Sequence, residues 1–247
     1  MKSKNIKDGL LRAIDPDSLS DKEWNELCGV DVNVRKKFSF NTIDDFDDHI
    51  NKSIPNYNIL FDSIKSISEY FFVDNTNVYD LGCSTGKLLN SIDTKCFKFG
   101  YDIANLLPLN GGSHNTQFEN VDLNKNFDLF DACMVYSIFT MQFLHPMVRE
   151  KYLNTIYQGL NKGGGFILCE KVYQDSGKMQ EIFSFSHYDY KHKHFSSTDI
   201  YNKEKDLRHI MKPCIESDLM DMLNKVGFSH VSTFWQMFNF KGILAIK

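Results

Sequence analysis

The residues best suited to chemistry lie in Val78-Tyr79-Asp80-Leu81-Gly82-Cys83-Ser84-Thr85-Gly86. An apolar strand runs into a turn with two glycines and then into a helix. Gly82 and Gly86 allow a tight turn and let a ligand approach the backbone closely. Asp80 supplies a carboxylate at the strand end, a partner for a cationic amine. Twenty residues after Gly82 stands Asp102, ending a second strand. An acid at that place can accept both hydroxyls of a ribose. Asp122 follows a third strand, where it can meet an adenine amino group. All three acids fall at the carboxyl ends of strands, the edge at which open α/β sheets hold ligands.

The elements that must position these acids alternate from residue 77 onward. Strands are predicted at 77–81, 97–101, 117–121, 130–136 and 165–172. Helices are predicted at 85–91, 147–160, 176–187 and 215–226. The helix over 147–160 meets a stop signal, Asn161-Lys162-Gly163-Gly164. Two further strands, 230–235 and 238–246, close the chain. Residues 42–72 read as helix broken near Pro55, with Ile59, Leu60, Ile64, Ile67 and Phe71 on one core-facing stripe. The fold class is α/β: a doubly wound, mostly parallel sheet with helices on both faces and an antiparallel C-terminal hairpin at its edge. Residues 1–37 read as an N-terminal extension. Residues 38–247 read as one domain with a helical insertion at about 187–212.

Composition agrees with a single globular domain of 247 residues, 42% hydrophobic and 24% charged. A net charge of −4 excludes a protein that wraps duplex DNA over its whole surface. Residues 151–247, with thirteen Lys+Arg and ten Asp+Glu, are mildly basic. None of the six cysteines forms a C-x-x-C pair, no signal core opens the chain, and no apolar run is long enough to span a membrane. The expectation is a cytoplasmic protein in a reducing compartment, without a membrane partner.

The D-x-G-x-x-x-G turn differs from the dinucleotide fingerprint. It resembles the first motif of class I S-adenosylmethionine (SAM) dependent methyltransferases, a Rossmann-like superfamily with a seven-stranded sheet. The resemblance implies SAM as cofactor, with Asp80 serving its amino group and Gly86 closing the loop. Further stretches are similar to one branch, the carboxy-SAM synthases: 46–58, VYDLGCSTG (78–86), FTMQFL (139–144), 156–171 and 227–240. That branch implies ligand contacts at Tyr57, Gly82, Cys83, Ser84, Asp102, Ile103, Asp122 and Leu123. It also implies a homodimer, SAM or carboxy-SAM as the bound nucleoside, and a role in tRNA wobble-uridine modification. The implied reaction turns the sulfonium methyl into an ylide that captures carbon dioxide released from prephenate.

Two positions depart from the branch. Ile138 stands where it has Asn. Glu204 stands where it has the Arg that holds the new carboxylate, and like charges there would repel. Lys203, Lys205 and Arg208 are the nearby cations able to substitute. These departures keep a second reading open, conventional SAM-dependent methyl transfer to an unknown acceptor.

Other motifs carry less. Pro213-Cys214 reads as helix entry rather than a nucleophile. The run His187–Phe195 matches no zinc spacing and reads as structural cover or a lid over the ligand edge, with contact to an anionic substrate or to RNA as the competing reading. No metal site is expected, and the four acids Asp44, Asp45, Asp47 and Asp48 read as solvated charge at a helix start.

Overall fold

The computed structural model describes residues 46–103 and 115–247. The expected extension over 1–37 and Asp44 and Asp45 lie outside the described residues. The helical stretch before the first strand is split as the sequence suggests, into α1 (Phe46–Ser53) and α2 (Tyr57–Ser68). Pro55 lacks the N–H that would continue the ladder, and Asn56 turns left-handed at φ 58° before α2 starts. Leu60 and Ile64 of α2 are fully buried at i, i+4 spacing.

Seven strands follow: β1 (Asn77–Leu81), β2 (Phe97–Asp102), β3 (Thr116–Asn120), β4 (Ala132–Ile138), β5 (Leu160–Lys171), β6 (His230–Met237) and β7 (Phe240–Ile246). They form one sheet in the order β3-β2-β1-β4-β5-β7-β6. The first five are parallel, and β7 runs antiparallel to both β5 and β6. The helices between them are α3 (Lys87–Ser91), α4 (Arg149–Gly159), α5 (Gly177–Lys191), α6 (Ser197–Ile210) and α7 (Glu216–Val226).

The sheet separates two cores. Tyr79, Val135, Phe166 and Leu168 face Tyr152, Leu153 and Ile156 of α4 and Leu219 and Leu223 of α7. Their chain neighbours Val78, Met134, Tyr136 and Ile167 face Leu60 and Ile64 of α2 and Leu88 and Leu89 of α3. Alternate residues of a strand point to opposite faces, so a central strand covered on both sides is apolar on both faces for most of its length. The chain moves outward from β1 to β3 and then returns to place β4 on the other side of β1. The direction of winding reverses between β1 and β4, and ligands bind at such a switch.

Some boundaries differ from expectation. The helix predicted from Thr85 begins at Lys87, because Gly86 occupies its N-cap at φ 72°. The stop signal after α4 ends the helix at Gly159, but Asn161–Gly164 already belong to β5. Gly163, at φ 80°, accompanies a register shift against β4 there. β4 starts two residues later than predicted, since Phe130 is exposed and Asp131 takes φ 48°.

Candidate functional site

The loop from β1 to α3 has a strongly constrained backbone. Gly82, Ser84 and Gly86 have φ of 86°, 49° and 72°. A Cβ on Gly82 would lie 2.0 Å from the Thr140 hydroxyl oxygen, so only glycine fits. The loop is tied to the end of β2: the Gly82 and Cys83 amides donate to the Tyr101 carbonyl at 2.7 and 3.1 Å. The Ser84 amide donates to Asp102 Oδ2 at 2.8 Å. The Ser84 hydroxyl oxygen is buried and has no hydrogen-bond partner. An orphaned hydroxyl inside a strained, Gly-bracketed loop fits a ligand that brings its own polar atoms.

Asp80 and Asp102 meet at this loop. Asp80 is buried, and burial, reinforced by the charge of Asp102, raises its carboxyl to about 7. A cationic amine would relieve that penalty. Asp122 is half-buried behind β3. Its Oδ1 accepts from the Asn124 amide at 3.0 Å and from Asn124 Nδ2 at 3.1 Å, so that oxygen also closes a turn. The Leu123 side chain lies in the α4-side core, which leaves its main chain for any ligand contact. Ile103 is exposed just beyond β2. The buried Cys83 thiol is pushed far up by burial and by Asp80, which excludes it as a nucleophile.

An aromatic wall leads away from the loop. Tyr57, at the start of α2, packs its ring 6.4 Å from Phe139, and Phe139 meets Phe240 edge-on at 5.8 Å. Lys171 Nζ stands 5.8 Å from the centre of the Phe240 ring, on the side of a cationic cluster. Ile138 ends β4 beside Phe139 and packs in the α2-side core, where it offers a ligand no hydrogen bond.

The cluster alters the meaning of Glu204. Its carboxylate lies 2.7 Å from Lys191 Nζ and 3.7 Å from Lys171 Nζ. Burial by itself would raise this carboxyl; Lys171 and Lys191 outweigh burial and bring it down to about 2. Glu204 is thus a neutralised partner of two lysines. Lys171 is lowered by burial, which Glu204 opposes and Lys191 and Arg208 reinforce. Lys203 turns to His49 instead, and Lys205 is exposed. Arg208 lines a cavity with Lys171, Tyr173, Tyr188 and Asn239. Sequence reasoning did not single out Lys171, Lys191 or Thr140. For Lys171 a signal existed, its place at the carboxyl end of β5.

The run 187–195 is anchoring structure at its start. His187 Nε2 donates to the Ser53 carbonyl at 2.8 Å, and the Tyr190 hydroxyl donates to Asn51 at 2.9 Å. Burial and Lys191 bring His187 down to about 3, so it is neutral. Cys214 accepts from Arg149 Nη1 at 2.9 Å, and its thiol is raised by burial, in keeping with a structural role at the entry to α7. Among the described residues no cluster of acids, histidines and cysteines suits a metal ion. Among them, too, no helix is long and apolar enough to cross a membrane.

Comparison with known proteins follows the same lines. No family model matches the chain. Among solved structures it is similar to a Nostoc punctiforme protein assigned as an O-methyltransferase, with TM-score 0.54 and 13% identity over 76% of this chain and 57% of that one. It is also similar to the YcgJ protein of Bacillus subtilis, with TM-score 0.50 and 12% identity over 70% of each chain. At such identities the likeness shows the fold, that of Rossmann-like methyltransferases. Curated relatives are nearer in sequence. The carboxy-S-adenosyl-L-methionine synthase of Staphylococcus epidermidis is 34% identical over 215 residues, 83% of this chain and 94% of that protein. The Shewanella oneidensis protein of the same name is 34% identical over 216 residues, 82% of this chain and 88% of that protein. With this identity over most of both chains, and the seven-stranded fold beneath it, the chain belongs to the carboxy-S-adenosyl-L-methionine synthase family of SAM-dependent transferases.

Proposed function

We propose that residues 38–247 bind SAM at the β1–α3 loop and convert it to carboxy-SAM with prephenate as carboxyl source. The supporting observation is the cluster at the end of β5. Among the described residues, Lys171, Lys191 and Arg208 there face one ionised carboxylate, Glu204, while burial raises neighbouring Glu170 to about 8, so the substrate side stays cationic despite an acid at position 204. Asp80 would hold the amino group, Asp102 the ribose, and Asp122 with the Leu123 main chain the adenine edge. Gly82, Cys83, Ser84 and Gly86 would cradle the methionine portion, with Tyr57 and Ile103 as flanking walls. Bound SAM supplies an electrophilic sulfonium whose methyl protons are acidified. The chain's own residues bind, orient and exclude water. Phe139, Phe240 and Tyr57 form a dry wall beside the loop, and Lys171 and Arg208 hold an anion. These are positioning and electrostatic contributions. The product would serve tRNA wobble-uridine modification, and the family relation favours a homodimer.

Conventional methyl transfer is the second reading. Ile138 favours it, because an apolar side chain ends β4 beside Phe139 and brings no polar group to a carboxylated product. Mass spectrometry of the nucleoside after incubation with SAM, with and without prephenate, tests both. A prephenate-dependent product heavier than SAM by one carboxyl group supports the first. Intact SAM in both samples, with binding measured separately, overturns it and directs the search to a methyl acceptor.

A further inference from the structure

The stretch FTMQFL (139–144) forms the turn that follows β4, with a short 3₁₀ turn over Met141–Phe143. Phe139 takes φ 55°, a costly conformation for an aromatic residue that persists only where its surroundings hold it. Gln142 does much of the holding, and its side chain is buried. Its Oε1 accepts from the Lys171 amide at 2.9 Å, and its Nε2 donates to the Phe139 carbonyl at 3.3 Å. One side chain thus joins the end of β4 to the end of β5. The Gln142 carbonyl accepts from the Lys212 amide at 2.7 Å. Arg149 of α4, also buried, donates from Nε and Nη2 to the Leu144 carbonyl at 3.3 and 3.0 Å. At the near end of the turn, the Thr140 side chain fills the space into which a Gly82 Cβ would project.

We propose that Gln142 is a positioning residue for SAM: it holds Phe139 and Thr140 against Gly82 and so fixes the shape of the β1–α3 loop. Without its amide, the Phe139 carbonyl and the Lys171 amide lose their partner, which is costly away from water. Phe139 is then free to leave its strained φ, and Thr140 moves with it. Arg149 and Lys212 still grip the far side of the turn, so the release is local. This role rests on the proposed function for the loop's part in binding SAM.

The test is calorimetric titration of the full chain with SAM. Gln142→Leu, which removes both hydrogen bonds, is expected to weaken SAM about threefold to tenfold. Thr140→Ala removes the groups that pack on Gly82. In that background Gln142→Leu should cost little more, because the two changes break one chain of contacts. Gln142→Glu, close to isosteric, keeps an acceptor for the Lys171 amide but has no proton for the Phe139 carbonyl while ionised. The charged and titratable groups facing it are Arg149 on α4, Glu170 on β5 and Lys212 ahead of α7. Its SAM affinity, as a ratio to wild type at each pH, should recover as pH falls and the new carboxyl regains a proton, whereas a side chain that merely filled space would give a flat ratio. This variant carries the comparison where the leucine variant does not fold. A lower thermal midpoint with unchanged SAM affinity, fully additive losses with Thr140→Ala, or a flat ratio below one overturns the proposal. SAM weakened by Asp102→Ala but not by Gln142→Leu sinks this inference alone. SAM untouched by Asp102→Ala sinks the reading of the loop on which it rests.

Discussion

The Glu204 carboxylate sits 2.7 Å from the Lys191 ammonium, which α5 carries to the same edge of the sheet. This pairing turns an apparent obstacle to anion binding into part of a cationic frame. It also makes Glu204 structurally exposed to substitution. Glu204→Arg would crowd a third cation against Lys171 and Lys191, and breaking a buried pair in this way costs about 3–5 kcal/mol. Urea unfolding should show a clear drop in midpoint, larger than for Glu204→Gln.

The same pair has a pH signature. The Glu204 carboxyl is depressed in the folded chain from its ordinary 4.5 to about 2. A depressed acid stabilises the fold at pH above its unfolded value and loses that contribution as pH falls through the folded one. The difference in urea midpoint between wild type and Glu204→Gln should be constant between its ordinary 4.5 and the pH at which Lys171 starts to lose its proton, and should shrink below 4.5 toward about 2.

Asp80 should make SAM binding pH-dependent. Its carboxyl, raised to about 7, is largely protonated in mildly acid solution. A bound ammonium favours the ionised form, so binding expels a proton, and affinity should rise with pH up to about 7 and fall again above about 8, where an α-amino group gives up its own proton. Calorimetry in two buffers of different ionisation enthalpy measures that proton. Asp80→Asn should abolish its release; persistent release would remove Asp80 from the site.

Asp102→Ala should weaken SAM by about tenfold to a hundredfold, the worth of charge-assisted hydrogen bonds. Part of that loss would come from the loop, since Ser84 N–H loses its acceptor. Unchanged affinity in equilibrium dialysis would overturn the ribose assignment.

Gly82→Ala should damage both fold and binding. Its φ is 86°, and the new methyl would meet Thr140 Oγ1 at 2.0 Å. Left-handed strain alone is worth about 1–3 kcal/mol. Adding Thr140→Gly removes the clash and leaves the backbone strain, so the double variant should regain only part of the lost thermal stability. Full recovery would show that the clash alone mattered.

The sequence by itself determined the sheet, the loop and the three acids after its strands. Strand β1 was readable because a strand covered on both faces is mainly apolar, as Val78, Tyr79 and Leu81 are, with the polar Asn77 and Asp80 toward its ends. Pro55 and the glycines at 82 and 86 marked breaks through their own backbone chemistry. These are local properties, carried by neighbours along the chain. Where local signals misled, they were apolar residues such as Phe130, whose burial the chain direction at Asp131 denied. The environment of Glu204 was decided only by the tertiary structure. The sequence supplied its negative charge and the cations beside it at 203, 205 and 208, yet the partners that neutralise it come from β5 and α5. Coulombic pairing depends on separation in space, and that separation is set by how α5 and α6 dock over the end of β5, which no spacing along the chain records.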